Sequence, residues 1–339
     1  TAAGRFAGLG SAGIDGAFLG LLANPGKMAL YMGFIVVSGF AVISLGVQKG
    51  LERVTKWMML ALMVLMWVLA FNSIRLEGGA EGLKFYLIPD FGRMVKIGIG
   101  DTIVGAMNQA FFTLSLGIGS MAIFGSYIGK ERSLMGESVN VAILDTFVAL
   151  TAGLIIFPAC FAYGVDPGAG PGLIFVTLPN IFNAMPGGRL WGTLFFLFMC
   201  FAAFSTVIAV FQNLIAFWED LTDMPKKKIV AIHMVLLLIL CLPCALGYNV
   251  LADFQPLGAG SGVLDLEDFI VSNNILPLGS MIYVIFCSWK IGWGWDNFMG
   301  EANTGNGIKF PNAIRLYIKY ILPLIILYVF VMGWKSIIG

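Results

Sequence analysis

Apolar runs long enough to cross a bilayer recur along the whole chain, each closed by a short polar or charged stretch. At 1.5 Å of rise per helical residue, ~30 Å of hydrocarbon takes about 20 residues. Eight segments meet or approach that length: 28–48, 57–74, 102–129, 138–165, 190–218, 229–252, 269–289 and 312–334. Arg315 and Lys319 fall in the first turns of the last segment and leave Tyr320 to Trp334 as its uncharged part. Basic side chains near a helix end can snorkel to the interface. The pattern predicts an all-α polytopic membrane protein with eight transmembrane helices in one domain over residues 1–339. The third segment departs from an ordinary span. Asn108 to Ser120 reads NQAFFTLSLGIGS, mixing hydroxyls and phenylalanines and then placing Gly117 and Gly119 at membrane depth. Those glycines lower the cost of leaving helical dihedrals, so one discontinuous helix is expected around 113–119.

Basic residues orient the spans. The alternate loops GVQKGLERVTK, GKERS, DMPKKKIV and Lys290 to Lys319 carry 3, 2, 3 and 4 of them. Tyr248 to Asp268 carries none and Gly164 to Leu190 carries Arg189 alone, so the first set is expected on the cytoplasmic side. The long loop from Arg75 to Asp101 mixes both signs and weighs little in this rule. The segment before the first span then starts outside. A translocated N-terminus without a signal peptide is uncommon, and an odd number of spans is expected to precede Thr1.

Composition makes a soluble alternative untenable. Of 339 residues, 59% are hydrophobic and 12% charged, with a mean hydropathy of +0.90. A net charge of +1 supplies no basic face to release counterions, which excludes nucleic acid as a partner. No GxSxG, HExxH or Walker pattern is present and the intramembrane hydroxyls lack a partnering base, so the chain is not read as an enzyme. Cys241 and Cys244 form a CxxC, yet LLLIL and ALG flank it, and small apolar packing is the expected role. His233, in IVAIHMVLLL, reads as a packing residue.

Four places can hold chemistry. Asp145 is the only charged residue in 138–165, and eight residues beyond Glu137 it lies about 12 Å along the helix. A charge that deep costs at least ~2.5 kcal/mol and asks for a task, as a cation ligand or a proton carrier. In the broken segment, Thr113 and Ser115 offer hydroxyls beside backbone that is tolerated only where it lines a cavity or binds something. A Ser/Gly-rich helix contact is the structural alternative. In FAAFSTVIAV, Ala202, Ser205, Thr206 and Ala209 share one helical stripe. Its hydroxyls can face an ion or bond back to the preceding turn. Asp265, Glu267 and Asp268 precede the span 269–289, either complementing a helix dipole or serving as an outer gate. Asn273, Asn274 and Pro277 suggest a local break just after them.

Six stretches together resemble the neurotransmitter:sodium symporter family, in its prokaryotic amino-acid transporter branch: GVQKGLERVTKWMM, FYLIPDF, NQAFFTLSLGIGSMAIFGSYIGK, GPGLIFVTLPNIF, FAAFSTVIAVFQNLIAFWED and LEDFIVSNNILPLG. They follow the family's order from one end of the chain to the other. The resemblance implies an inverted-repeat, leucine-transporter-like fold in which the eight spans correspond to the fourth to eleventh helices. The first three helices are then expected to be absent, and transport is not expected from residues 1–339 alone.

By that resemblance, Phe112 is the aromatic lid over the substrate, Thr113 a ligand of the first sodium site, and Ser115 and Ile118 pocket wall. Gln109 matches the vestibule glutamine and Asp268 the outer-gate carboxylate. Asp145 stands where many members have asparagine as another first-site ligand. Chloride-dependent members carry a serine one turn later, where this chain has Ala149, which implies no chloride requirement. Ala202 through its carbonyl, Ser205 and Thr206 match the second sodium site, and Thr206 and Val210 also face the substrate. GPGLIFVTLPNIF resembles the loop, about 166–189, that plugs the outer vestibule.

The implied function is sodium-coupled symport of an amino acid, hydrophobic or aromatic, in a bacterial inner membrane. The resemblance implies no organic cofactor. Membrane lipid is the expected surrounding, and a homodimer is one assembly open to it. Two readings stand beside this one: a proton-coupled transporter of the same architecture using Asp145, and a non-transporting membrane fragment.

Overall fold

Each apolar run ends where a proline, a glycine or a side-chain cap stops the helical hydrogen-bond ladder. The computed structural model describes residues 11–45, 48–164, 173–184 and 187–338. The helices are α1 (Ser11–Leu22), α2 (Pro25–Leu45), α3 (Gln48–Ile74), α4 (Gly79–Leu87), α5 (Phe91–Ile97), α6 (Ile99–Thr113), α7 (Ser120–Ser126) and α8 (Leu134–Tyr163). There follow α9 (Leu178–Ala184), α10 (Gly188–Leu221), α11 (Lys226–Leu246), α12 (Val263–Ile270), α13 (Leu276–Ser288), α14 (Trp295–Ala302) and α15 (Leu322–Ile338). Among the described residues, seven helical stretches are long and apolar enough to cross a membrane. The eighth expected span is α6 plus α7, each too short alone. This is a multi-pass membrane protein.

Caps explain where boundaries fall. Pro25 opens α2, where its missing N–H costs nothing, and the Asn24 side chain accepts from the Lys27 N–H (3.0 Å). The expected segment 229–252 stops as a helix at Leu246 and continues as turns, because the Asn249 amide turns back to the Ala245 carbonyl (3.4 Å) while also reaching Leu22 (2.8 Å). The segment expected from 269 starts at Val263. There the Asp265 carboxylate accepts from the Gly262 N–H (2.6 Å), so this acid is a helix cap. No break follows at Asn273 and Asn274; a π-turn over Val271–Ile275 carries α12 into α13, with the Asn274 amide bonded to the Phe269 carbonyl (3.1 Å).

The residues form two compact units, one within 1–89 and 148–254, the other within 90–147 and 255–339; α8 passes from the second to the first after Phe147. The first unit holds two cores. Leu62, Leu69, Ile155, Ala159, Phe182 and Phe195 make one; Phe40, Ile43, Phe211, Ile215 and Ile229 make the other. Close approach through small residues drives helix packing where lipid is as apolar as leucine. Gly39 shows it: a Cβ there would meet the Phe211 ring at 2.9 Å. His233 is buried beside Trp218, its Nδ1 donating to the Ile229 carbonyl at 2.8 Å. Of the expected plug loop, residues 165–172 and 185–186 lie outside the described residues. Leu178, Ile181 and Phe182 of α9 are buried in the first core. The second unit's core joins Val104 and Phe111 of α6 with Leu276, Ile326 and Val329.

Candidate functional site

The candidate residues divide between the units, and each group has its own geometry. In the second unit, α6 ends at Thr113 in a Schellman arrangement. The Leu116 N–H donates to the Phe111 carbonyl (2.9 Å) and the Ser115 N–H to that of Phe112 (3.0 Å). Phe111 and Leu116 pack in the same apolar cluster, the hydrophobic contact that accompanies this helix end. The left-handed position is held by Ser115, at φ 51°, where glycine is usual. The helix therefore leaves its path before Gly117 and Gly119, both at φ 85°, not at them. Strain of this kind, about 1–3 kcal/mol, persists where surrounding structure enforces it.

The break changes the local chemistry. Among the described residues, the five carbonyls from Leu114 to Ile118 accept no backbone hydrogen bond. At their edge the Thr113 hydroxyl donates to the Asp145 carboxylate at 2.8 Å, across 32 residues of sequence. A carboxylate, a hydroxyl and several carbonyls outside the backbone hydrogen-bond ladder are the oxygen donors that a hard cation takes. Phe112 and Ile118 are 55% and 40% exposed, whereas Phe111 and Leu116 pack in the apolar cluster. Gln109 is exposed one turn before Thr113.

Asp268 lies on α12 and accepts the Ser272 hydroxyl at 2.8 Å. Ser272, four residues on, was not singled out from sequence, although the i, i+4 spacing of an acid and a hydroxyl was the available signal. The π-turn that contains it is tied to α15 by the Trp334 indole, which donates to the Asn274 side-chain oxygen (2.9 Å).

In the first unit, α10 runs unbroken through the other candidate cluster. The Ala202 carbonyl accepts both the Ser205 hydroxyl (2.7 Å) and the Thr206 hydroxyl (3.2 Å). Three oxygens thus meet at one point of the helix surface, and both hydroxyls bond back to the preceding turn. Val210, 41% exposed, follows one turn later.

Sequence reasoning also missed Gly279. The unwound segment rests on α13 at this residue, where a Cβ would overlap the Gly117 carbonyl oxygen and lie 2.7 Å from its carbonyl carbon. A lone glycine in an apolar helix gives no signal of that approach, which exists only once α13 and residues 114–119 are side by side.

The model of the Sodium:neurotransmitter symporter family matches residues 19–338. The uncharacterized sodium-dependent transporter YhdH of Bacillus subtilis (strain 168) is 33% identical over 333 residues, 97% of this chain and 72% of that protein. An uncharacterized sodium-dependent transporter of Haemophilus influenzae is 28% identical, over 91% of this chain and 66% of its own length. The crystal structure of MhsT in complex with L-phenylalanine superposes with a TM-score of 0.87 at 34% identity, over 98% of this chain and 74% of that one.

Proposed function

The chain belongs to the sodium:neurotransmitter symporter family and shares its leucine-transporter-like fold with MhsT; from that premise we propose sodium-coupled symport of an amino acid with a hydrophobic or aromatic side chain, independent of chloride. The observation that carries this reading is the Thr113–Asp145 bond beside five carbonyls that accept no backbone hydrogen bond. The Thr113 hydroxyl, rotated so that its oxygen rather than its proton faces the ion, and the Asp145 carboxylate would both ligate sodium. Ala202, Ser205 and Thr206 take a second sodium ion. The carboxylate and ammonium of the amino acid address sodium and the unwound backbone. Phe112 closes over the substrate, Ser115 and Ile118 form pocket wall, and Thr206 and Val210 also contact the substrate. Gln109 and Asp268 belong to the outer gate. The aliphatic Ile118 suits a large apolar side chain, and MhsT, a similar protein of known structure, was solved with L-phenylalanine.

Transport follows from differential binding. Sodium favours an outward-open state, substrate completes the site and closes the lid, and loss of the second sodium ion opens the inward path. The bacterial relatives support an inner-membrane location. The test uses the full gene product in proteoliposomes loaded with either an inward sodium gradient or a pH gradient without sodium. Labelled phenylalanine is expected to accumulate only with sodium. Accumulation that tracks the pH gradient and ignores sodium would make Asp145 a proton carrier and overturn the reading.

A further inference from the structure

We propose that Gly279 is a specificity-determining position: it lets α13 seat the unwound segment directly on its backbone and thereby sets how far Ile118 stands from the substrate. This rests on the assignment of Ile118 to the pocket wall. Gly279 is helical, so its own dihedrals do not require glycine, and a mid-helix glycine is less favourable than alanine. Its neighbour explains it. A Cβ on Gly279 would overlap the Gly117 carbonyl oxygen and come within 2.9 Å of the Gly117 Cα, and a Cβ on Gly117 would overlap the Leu276 carbonyl oxygen and lie 2.8 Å from the Ser280 nitrogen. Two backbones therefore touch with no side chain between them. Gly117 also needs its φ of 85°, so the pair is constrained from both sides.

The contact has a direction. Phe111 and Leu116 pack in one cluster with Leu276 of α13 and Gly117 abuts Leu276 and Ser280, while Phe112 and Ile118 are exposed. A methyl group at 279 needs C···O separations of about 3.3 Å, so it drives the segment away from α13 by on the order of 1 Å. That carries Ile118, the residue after Gly117, with the segment and narrows the proposed pocket. Large substrates lose room first, and small ones barely register the change.

The experiment compares the full gene product with Gly279→Ala, Ile118→Ala and the double variant in proteoliposomes, measuring KM and kcat for phenylalanine, tryptophan, valine and alanine under a sodium gradient. Gly279→Ala is expected to raise KM for the two aromatic substrates roughly tenfold, leave alanine within about twofold, and leave kcat unchanged. The double variant is expected to regain aromatic affinity. If Gly279→Ala alone does not fold, the double variant, in which the displaced segment has room, is compared with Ile118→Ala and is expected to bind aromatics less tightly than it. An equal loss for every substrate, or no change, with Ile118→Ala still altering size preference, overturns the role of Gly279 and leaves the pocket standing. If Ile118→Ala leaves size preference unchanged, the pocket assignment fails, and the role of Gly279 with it.

Discussion

The segment 113–118 and the turn 202–206 both gather hydroxyls at membrane depth, but they do so with opposite backbones. At 113–118 the helix stops, five carbonyls are released, and a carboxylate from another helix joins the hydroxyl. At 202–206 the helix is intact, and both hydroxyls are already engaged by one carbonyl. On the proposed reading, an ion at the first would meet carbonyls that accept no backbone hydrogen bond and a hydroxyl held by one hydrogen bond. At the second it would have to rotate two side chains away from a carbonyl that they already engage. The broken helix is therefore proposed as the stronger and more charged cation site and the intact helix as the weaker one, which suits release.

Asp145→Ala strikes that contrast hardest. It removes the only charge in the broken-helix group and leaves the Thr113 hydroxyl without its acceptor. Loss of the carboxylate removes its attraction for the cation, on the order of a few kcal/mol at an effective dielectric constant of about 20, so the sodium concentration for half-maximal phenylalanine uptake is expected to rise roughly 10- to 100-fold. Sodium activation unchanged in Asp145→Ala would reverse the ranking of the two regions. Gly117→Ala comes next. At φ 85° an L-residue costs about 1–2 kcal/mol, and its methyl overlaps the Leu276 carbonyl. Substrate affinity is expected to fall about tenfold, read as a shift in the phenylalanine binding isotherm; wild-type affinity would show that the segment does not rest on α13.

Thr206→Ala probes the intact helix and is expected to be milder. One neutral hydroxyl is worth about 1 kcal/mol, so sodium activation should shift about fivefold, while Thr206→Ser, which keeps the oxygen, stays near wild type. Equal sodium activation in all three proteins would remove Thr206 from the second site.

How much of this was legible in the sequence varied with the physics involved. Span number and the discontinuous helix follow from hydropathy and glycine placement, which act locally. Asp145 is visible because a lone carboxylate in an apolar run is costly wherever the helix goes. The αL conformation of Ser115 was not legible, since nothing in LSLG says that a serine and not the next glycine turns the chain; the Schellman bonds and the Phe111–Leu116 contact decide it. The continuity of α12 and α13 was also hidden. Asn273, Asn274 and Pro277 look like a break, but the Asn274 amide supplies the hydrogen bond that a break would lose. Gly279 was least accessible of all, because its reason lies on another element.

The smallest expected effect is none, and it tests where the negative charge of the broken-helix site comes from. Two sources can balance a sodium ion there: a resident carboxylate or a bound anion. Asp145 places a carboxylate within hydrogen-bond distance of Thr113. One turn later on α8 stands Ala149, which has no hydroxyl to hold an anion. A second negative charge beside Asp145 would meet like-charge repulsion in a poorly screened site. Replacing chloride with gluconate on both sides of the membrane is therefore expected to leave sodium-driven phenylalanine uptake unchanged. Uptake that collapses in gluconate would mean that a bound anion is needed beside sodium, and the contrast between a broken helix that supplies its own charge and an uncharged intact one would disappear.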